Sequence, residues 1–455
     1  MAQILNVKNK NESKEFYKSL VTIVGPIAGQ NLISAAVSSA DVIMLGSVGQ
    51  TAIASVSLAG QVQFILFLIF TGLSSGLIML AAQYWGKKDT DSIKTLTGIA
   101  LRLSLAVGIV FSAGAMFFPE FLMRIFSDDA KLIESGKSYL RAVSISYICL
   151  SVSQVYQAVL KSVEHVKEVT GTAFLALGLN IILNAVFIYG LFGIPKMGIL
   201  GAGIATTISR IVELAVCLLL GFRLKEMRFT PAVITRHDKY LRMDFFRYSM
   251  PALGNEFVWG AAFAMYSVIL GHLGEDIVAA NSVVSVVRNL ATVLCFGMAY
   301  GGAIILGKEM GAGELELAER NARRLVRTTI MAGILGGIII LCFRPVIPLL
   351  AKLSDTAAKY RDILLYINAV SVIGAAINTV LICGVFRAGG DSKFGFILDT
   401  AVMWGISVPL GLISAFVLKL PPVVVYTILY LDELEKMAPI VIHYMKRKWL
   451  RNITR

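Results

Sequence analysis

One stretch of this chain occurs twice. Sliding the sequence by 225 residues without a gap sets Pro26 on Pro251, Gly29 on Gly254, Gly46 on Gly271, Gly49 on Gly274, Gly72 on Gly297, Gly76 on Gly301 and Gly86 on Gly311. Six of the seven glycines between Pro26 and Gly86 recur in the second copy. A match of that kind at fixed offset marks a duplicated unit, and a duplicated unit constrains the fold more tightly than any local motif. The two halves are parallel copies.

The solvent follows from composition: 56% of residues are hydrophobic and only 16% charged, too few to wet the surface of a soluble protein of this size. Apolar runs long enough to cross a bilayer of roughly 30 Å fall at 16–45, 51–80, 93–118, 133–160, 168–190 and 199–221, and again at 243–270, 276–305, 318–343, 359–386, 394–417 and 423–445. The expected fold class is therefore an all-α membrane protein of twelve transmembrane helices, in two pseudo-symmetric six-helix lobes around a central cavity. The expected division is a cytoplasmic segment 1–15, an N-lobe 16–222, a cytoplasmic linker 223–242, a C-lobe 243–445 and a basic tail 446–455.

Charge sets the orientation. With the N-terminus inside, 29 of the 42 Lys and Arg residues lie in cytoplasmic segments, as the retention of positive charge on that side requires. Both termini are then cytoplasmic, in a multi-pass protein of the cell membrane. The net charge of +13 sits in short loops between apolar runs, without the aromatic-interleaved basic patches of a nucleic-acid binder. The five cysteines are scattered singly, with no CxxC and no metal-ligand spacing, so neither disulfides nor zinc are expected.

Polar residues inside the spans carry the functional reading, because a charge near the bilayer centre is costly and must face protein or water. Asn31, Ser34, Ser38 and Asp41 share one face of the first helix. Tyr147, Ser151 and Gln154 share one face of the fourth, Asn281, Ser285, Arg288 and Thr292 of the eighth, and Asn368, Ser371 and Asn378 of the tenth. These stripes either glue helices together or line an aqueous cavity, which explains their continuity better.

Asp41 stands five residues before the outer turn, so it either reaches the outer interface or binds an ion. Glu256 lies deep in the seventh helix with no Lys or Arg within a turn of it, which makes it a proton-binding candidate. Arg210 with Glu213, and Asp432 with Lys436, are spaced to neutralise each other. Asp399, near enough to the cytoplasmic end to pair with Arg387 or Lys393, and Glu433 are second-rank candidates. Pro26 and Pro251 each remove a helical hydrogen bond and mark either a fixed bend or a moving hinge.

Two runs resemble a known family. Gly193-Ile-Pro195-Lys-Met-Gly198-Ile-Leu-Gly201-Ala-Gly203-Ile-Ala205-Thr206, preceded by Asn180-Ile-Ile-Leu-Asn184, resembles the fifth and sixth helices of multidrug and toxic compound extrusion (MATE) transporters of bacterial type. Arg387-Ala-Gly-Gly390-Asp391-Ser-Lys393 resembles the loop after their tenth helix. The resemblance implies secondary active export of amphipathic, often cationic compounds in exchange for protons or sodium ions, by alternating access, with no enzymatic activity and no organic cofactor. It also implies an N-lobe cation site at Asp41, Asn180, Asn184 and Thr206, and a C-lobe acid close to Glu256. Where many members carry a second Asp, this chain has Asn184, so Asp41 is the only ionisable member of that cluster. The helix-ten acid of some members is absent, since the region reads Val372-Ile-Gly-Ala-Ala376. The proton is the preferred coupling ion over sodium, the bilayer is the one expected partner besides substrate, and the protein is read as a monomer. The alternatives are a flippase for lipid-linked saccharides, for which Arg210, Arg288 and Arg387 would supply positive charge, and more remotely an integral membrane enzyme.

Overall fold

The computed structural model describes residues 2–223, 233–350 and 353–455. The middle of the expected linker, residues 224–232, lies outside them. The first helix, α1, runs Ala2–Gly46, so the expected N-terminal segment is already helical. Its Lys, Glu, Gln and Ala residues are good helix formers and need no apolar environment to continue the turn. Then come α2 (Gln50–Gly86), α3 (Thr90–Phe117), α4 (Ala130–Ser162), α5 (Val166–Tyr189) and α6 (Gly198–Arg223). The second half repeats the plan with α7 (Lys239–Gly271), α8 (Glu275–Gly311), α9 (Leu315–Cys342), α10 (Asp355–Phe386) and α11 (Ser392–Val417).

Among the described residues, eleven helices are long and apolar enough to cross a membrane. The twelfth run, α12 (422–445), is three short helices whose junctions, Leu431 and Lys436, keep right-handed helical backbone, so it continues as one rod. Helix ends follow ordinary capping chemistry: the Asp89 carboxylate accepts from the Ser92 amide at the start of α3, and the Ser354 hydroxyl accepts from the Ala357 amide at the start of α10. Pro26 lies inside α1 and Pro251 inside α7, and both helices run on through them.

Backbone packing divides the chain into two compact units. One comprises Gly29–Ala81 and Asp89–Arg247, and the other Met1–Ala28, Ala82–Lys88 and Tyr248–Arg455. Each unit boundary on a proline-bearing helix falls within a turn of the proline, after Ala28 on α1 and before Tyr248 on α7.

In the N-half unit α4 is sandwiched between α3 and α6, and α5 packs on α6. Small residues let backbones approach there, as they do in membrane bundles generally. Thr207 Oγ1 on α6 donates to the Ala142 carbonyl of α4 at 2.6 Å.

In the C-half unit α8, α9 and α10 pack on one another. The end of α2 crosses α8 through repeat-related glycines: a Cβ on Gly86 would lie 1.9 Å from the Lys308 carbonyl oxygen, and one on Gly311 would lie 1.9 Å from that of Gln83. No side chain larger than hydrogen fits at either.

The basic tail is not a free strand. Trp449 is 1% exposed and stacks on Tyr444, and Arg451 donates to the carbonyls of Gly389 and Gly390 at 2.8 and 2.9 Å. Gln83 completes this knot by donating to the Ala388 carbonyl at 2.7 Å and accepting from the Ile453 amide at 2.7 Å.

Candidate functional site

The N-half residues singled out by the resemblance come together. Asn184 on α5 donates through Nδ2 to Asp41 Oδ1 on α1 at 2.6 Å, and through the same nitrogen to Asn180 Oδ1 at 3.2 Å. Asn180 Nδ2 in turn faces the hydroxyl of Thr206 on α6 at 3.5 Å. Three helices thus converge because Asn180 and Asn184 are one turn apart on α5, which aims both at α1 and α6. Tyr139 on α4 closes the cluster, its phenol beside Thr206 and Asp41. Nothing in helical spacing pointed to it, since it stands among the charged and polar residues Lys137, Ser138 and Arg141 of the first half of α4.

Two features give this cluster its chemistry. Among the described residues no Lys or Arg is hydrogen-bonded to Asp41, whose bonded partner is the Asn184 amide. Asn184 Oδ1, on a residue 2% exposed, has no hydrogen-bond partner among the described residues. A carboxylate, an unengaged amide oxygen and a hydroxyl are hard oxygen donors, suited to a proton or to a small cation such as sodium. The other N-half charges are committed elsewhere. Arg210 pairs with Glu213 at 2.6 Å, and Gln157 donates to the same carboxylate at 2.7 Å, as the i, i+3 spacing implies. Asn31 is half-buried on α1, and Ser34 and Ser38 bond back to their own helix.

The C-half corrects several readings. Glu256 is not isolated: Arg387 reaches it from α10, Nη2 to Oε1 at 3.0 Å, and also donates to Asn255 Oδ1 at 2.8 Å. Spacing along α7 sees only neighbours one turn away, and this cation comes from another helix. Nor is Arg387 a loop residue. It continues the helical backbone beyond α10's π-helical stretch Val380–Phe386 and is 4% exposed.

Asp399, expected to meet Arg387 or Lys393, instead accepts from Asn255 Nδ2 at 2.5 Å and pairs with Lys436 at 3.2 Å. Lys436 also holds Asp432 at 3.1 Å, as the i, i+4 spacing implies. Glu433 accepts from Asn378 Nδ2 at 2.9 Å. Arg288 lies over the rings of Phe263 and Tyr430, 5.2 and 5.0 Å from their centroids, a cation–π arrangement that offsets part of its desolvation. Among the described residues no group of three or more His, Cys, Asp or Glu is arranged to hold a metal ion.

Comparison with known proteins agrees with this architecture. The MatE family model matches residues 26–186 and again 251–413, one copy in each half. The multidrug resistance protein NorM of Photobacterium profundum is 25% identical over 404 residues, covering 87% of each chain. The probable multidrug resistance protein NorM of Thermotoga maritima is 22% identical over 456 residues, covering 98% of this chain and 95% of its own. Among solved structures, a MATE in a bent conformation superposes with a TM-score of 0.86 at 19% identity, covering 96% of each chain, and the same family in a straight conformation with 0.85 at 19% identity, covering 95% and 96%. An all-helical chain of two homologous halves, matched by the family model over both of them, belongs to the MatE family of membrane transporters.

Proposed function

We propose that this protein is a secondary active multidrug efflux antiporter that exports amphipathic, often cationic compounds from the cytoplasm across the cell membrane in exchange for protons or sodium ions. The observation that carries the reading is the cluster of Asp41, Asn180, Asn184 and Thr206, in a chain whose relatives include multidrug resistance proteins. Asp41 holds either the coupling ion or a state that admits substrate, never both at full strength, because protonation or sodium binding cancels the charge that would attract a cationic drug. Ion and drug then drive each other out through opposite preferences for two conformations. The proton is the preferred ion, since one carboxylate gives a sodium site only one formal charge.

Alternating access would bend α1 at Pro26 and α7 at Pro251. Support comes from the packing boundaries beside both prolines, and from the bent and straight conformations of a MATE of similar fold. A lipid-linked saccharide flippase has less support, because Arg210 and Arg387 are committed to carboxylates and leave only Arg288, on its aromatic rings, to meet a pyrophosphate.

The test is transport in proteoliposomes with pH and sodium gradients imposed separately. A cationic dye should move against its gradient with at least one of them, and Asp41→Asn should remove the drive. Dye transport that ignores both gradients would remove the antiport reading.

A further inference from the structure

The C-half contains a buried charge network with more acid than base. It starts at Glu256, whose side chain is 16% exposed, and passes to Arg387, Asn255, Asp399, Lys436 and Asp432 in bonds of 2.5 to 3.2 Å. Beyond Glu256 the charged side chains are 8% exposed or less. Three carboxylates therefore meet two permanent cations.

The surrounding groups do not repair the deficit. Glu433, next to Asp432, adds a fourth carboxylate, and Arg288 a third cation. The remaining titratable neighbours are Tyr300, beside Glu256 and Arg387, Tyr426 and Tyr430, beside Arg288, Tyr266, beside Asp432, and Cys383, beside Asp399 and Lys436, and all are neutral in their ordinary forms. One negative charge is left over in a setting where an uncompensated ion costs several kcal/mol.

Lys436 is the point where the shortage is felt, because a single ammonium serves both Asp399 and Asp432. It can fully offset one carboxylate, so the other is the natural seat of a proton. A second feature leaves the neighbouring Glu433 side of the network unfinished. Asn378 is 3% exposed and gives its Nδ2 to Glu433, while its Oδ1 has no hydrogen-bond partner among the described residues. A buried acceptor left bare is a seat for a bridging water.

We propose that the Asp399–Lys436–Asp432 triad carries one exchangeable proton, making it a second proton site separate from the Asp41 cluster and on the other half of the repeat. The proton sits as a carboxyl O–H on one of the two aspartates and leaves as H⁺, giving a carboxylate. The bonded series from Glu256 provides a polar route between the triad and the more exposed end of the network.

The test is infrared difference spectroscopy of the purified full-length protein between acidic and alkaline pH. It uses an Asp41→Asn background, so that the N-half acid is silent. A protonated carboxyl band that titrates should be present there. It should disappear with either Asp432→Asn or Asp399→Asn, because each isosteric change restores the balance between the remaining acid and Lys436. Lys436→Met should act the other way and raise the band about two-fold, as both acids lose their counter-ion. If neither aspartate substitution changes the band in protein that remains monodisperse, or if Lys436→Met weakens it, the triad holds no proton and the proposal falls. Because no substrate is involved, the outcome is independent of the drug-export reading.

Discussion

The two halves share their prolines and glycines but handle buried charge in opposite ways. In the N-half, Asp41 is held by neutral groups alone, with Asn184 at 2.6 Å, while the nearby arginine, Arg210, is spent on Glu213. In the C-half, Glu256, Asp399 and Asp432 are each within 3.2 Å of Arg387 or Lys436. The depths differ too. Under the 225-residue offset Asp41 falls on Tyr266 and Glu256 on Asn31, ten residues or about 15 Å apart along a helix. An acid without a cation can exchange its ion cheaply, whereas an acid clamped by arginine cannot. Duplication therefore supplied one scaffold twice, and divergence put an acid held by neutral groups and a network of paired charges at different heights in it.

The sharpest way to break this contrast is to remove a clamp. Arg387→Met should strand Glu256 and cost about 3–5 kcal/mol, seen as loss of monodisperse protein on mild heating, and Arg387→Met with Glu256→Gln should recover most of it. The N-half pair is more exposed, Arg210 being 28% accessible, so Arg210→Met should cost less, about 2 kcal/mol, with Glu213→Gln again restoring stability. Asn184→Ala sharpens the comparison from the other side. It removes the unengaged amide oxygen beside Asp41 and should weaken sodium binding about tenfold, or about 1.4 kcal/mol, in a binding titration while leaving the C-half bands of an infrared spectrum unmoved. Thr206→Val should have the smallest effect, under about 1 kcal/mol on ion affinity, because its contact with Asn180 is 3.5 Å long.

Much of this was readable from sequence, for a physical reason. Spans announce themselves because lipid demands continuous apolar surface, and the duplication announces itself through glycines such as Gly86 and Gly311 that the α2–α8 crossing cannot replace. Pairs one turn apart were legible as well: Arg210 with Glu213, and Asp432 with Lys436.

Partners on different helices were not legible from spacing, since helix rotation decides them, and the Asp41–Asn184 contact was expected only through the family resemblance. The π-helical stretches Val380–Phe386, just before Arg387, and Thr400–Ser407, just after Asp399, add to the difficulty. Their wider turns shift every later side chain relative to a 3.6-residue count. The docking of Trp449 and Arg451 onto the Gly389–Gly390 corner was invisible for the same reason, because a basic tail reads as solvated until its contacts are known.

The central claim is that the acid lacking a cation is the one that couples ion flow to transport. It is tested most directly by gradient-driven uptake of a cationic dye into proteoliposomes, comparing wild type, Asp41→Asn and the double variant Arg387→Met with Glu256→Gln. The account predicts that Asp41→Asn loses at least about tenfold of the driven uptake while the protein stays folded and still binds dye, and that the double variant keeps driven uptake. Full driven uptake by Asp41→Asn, with loss confined to the double variant, would contradict it.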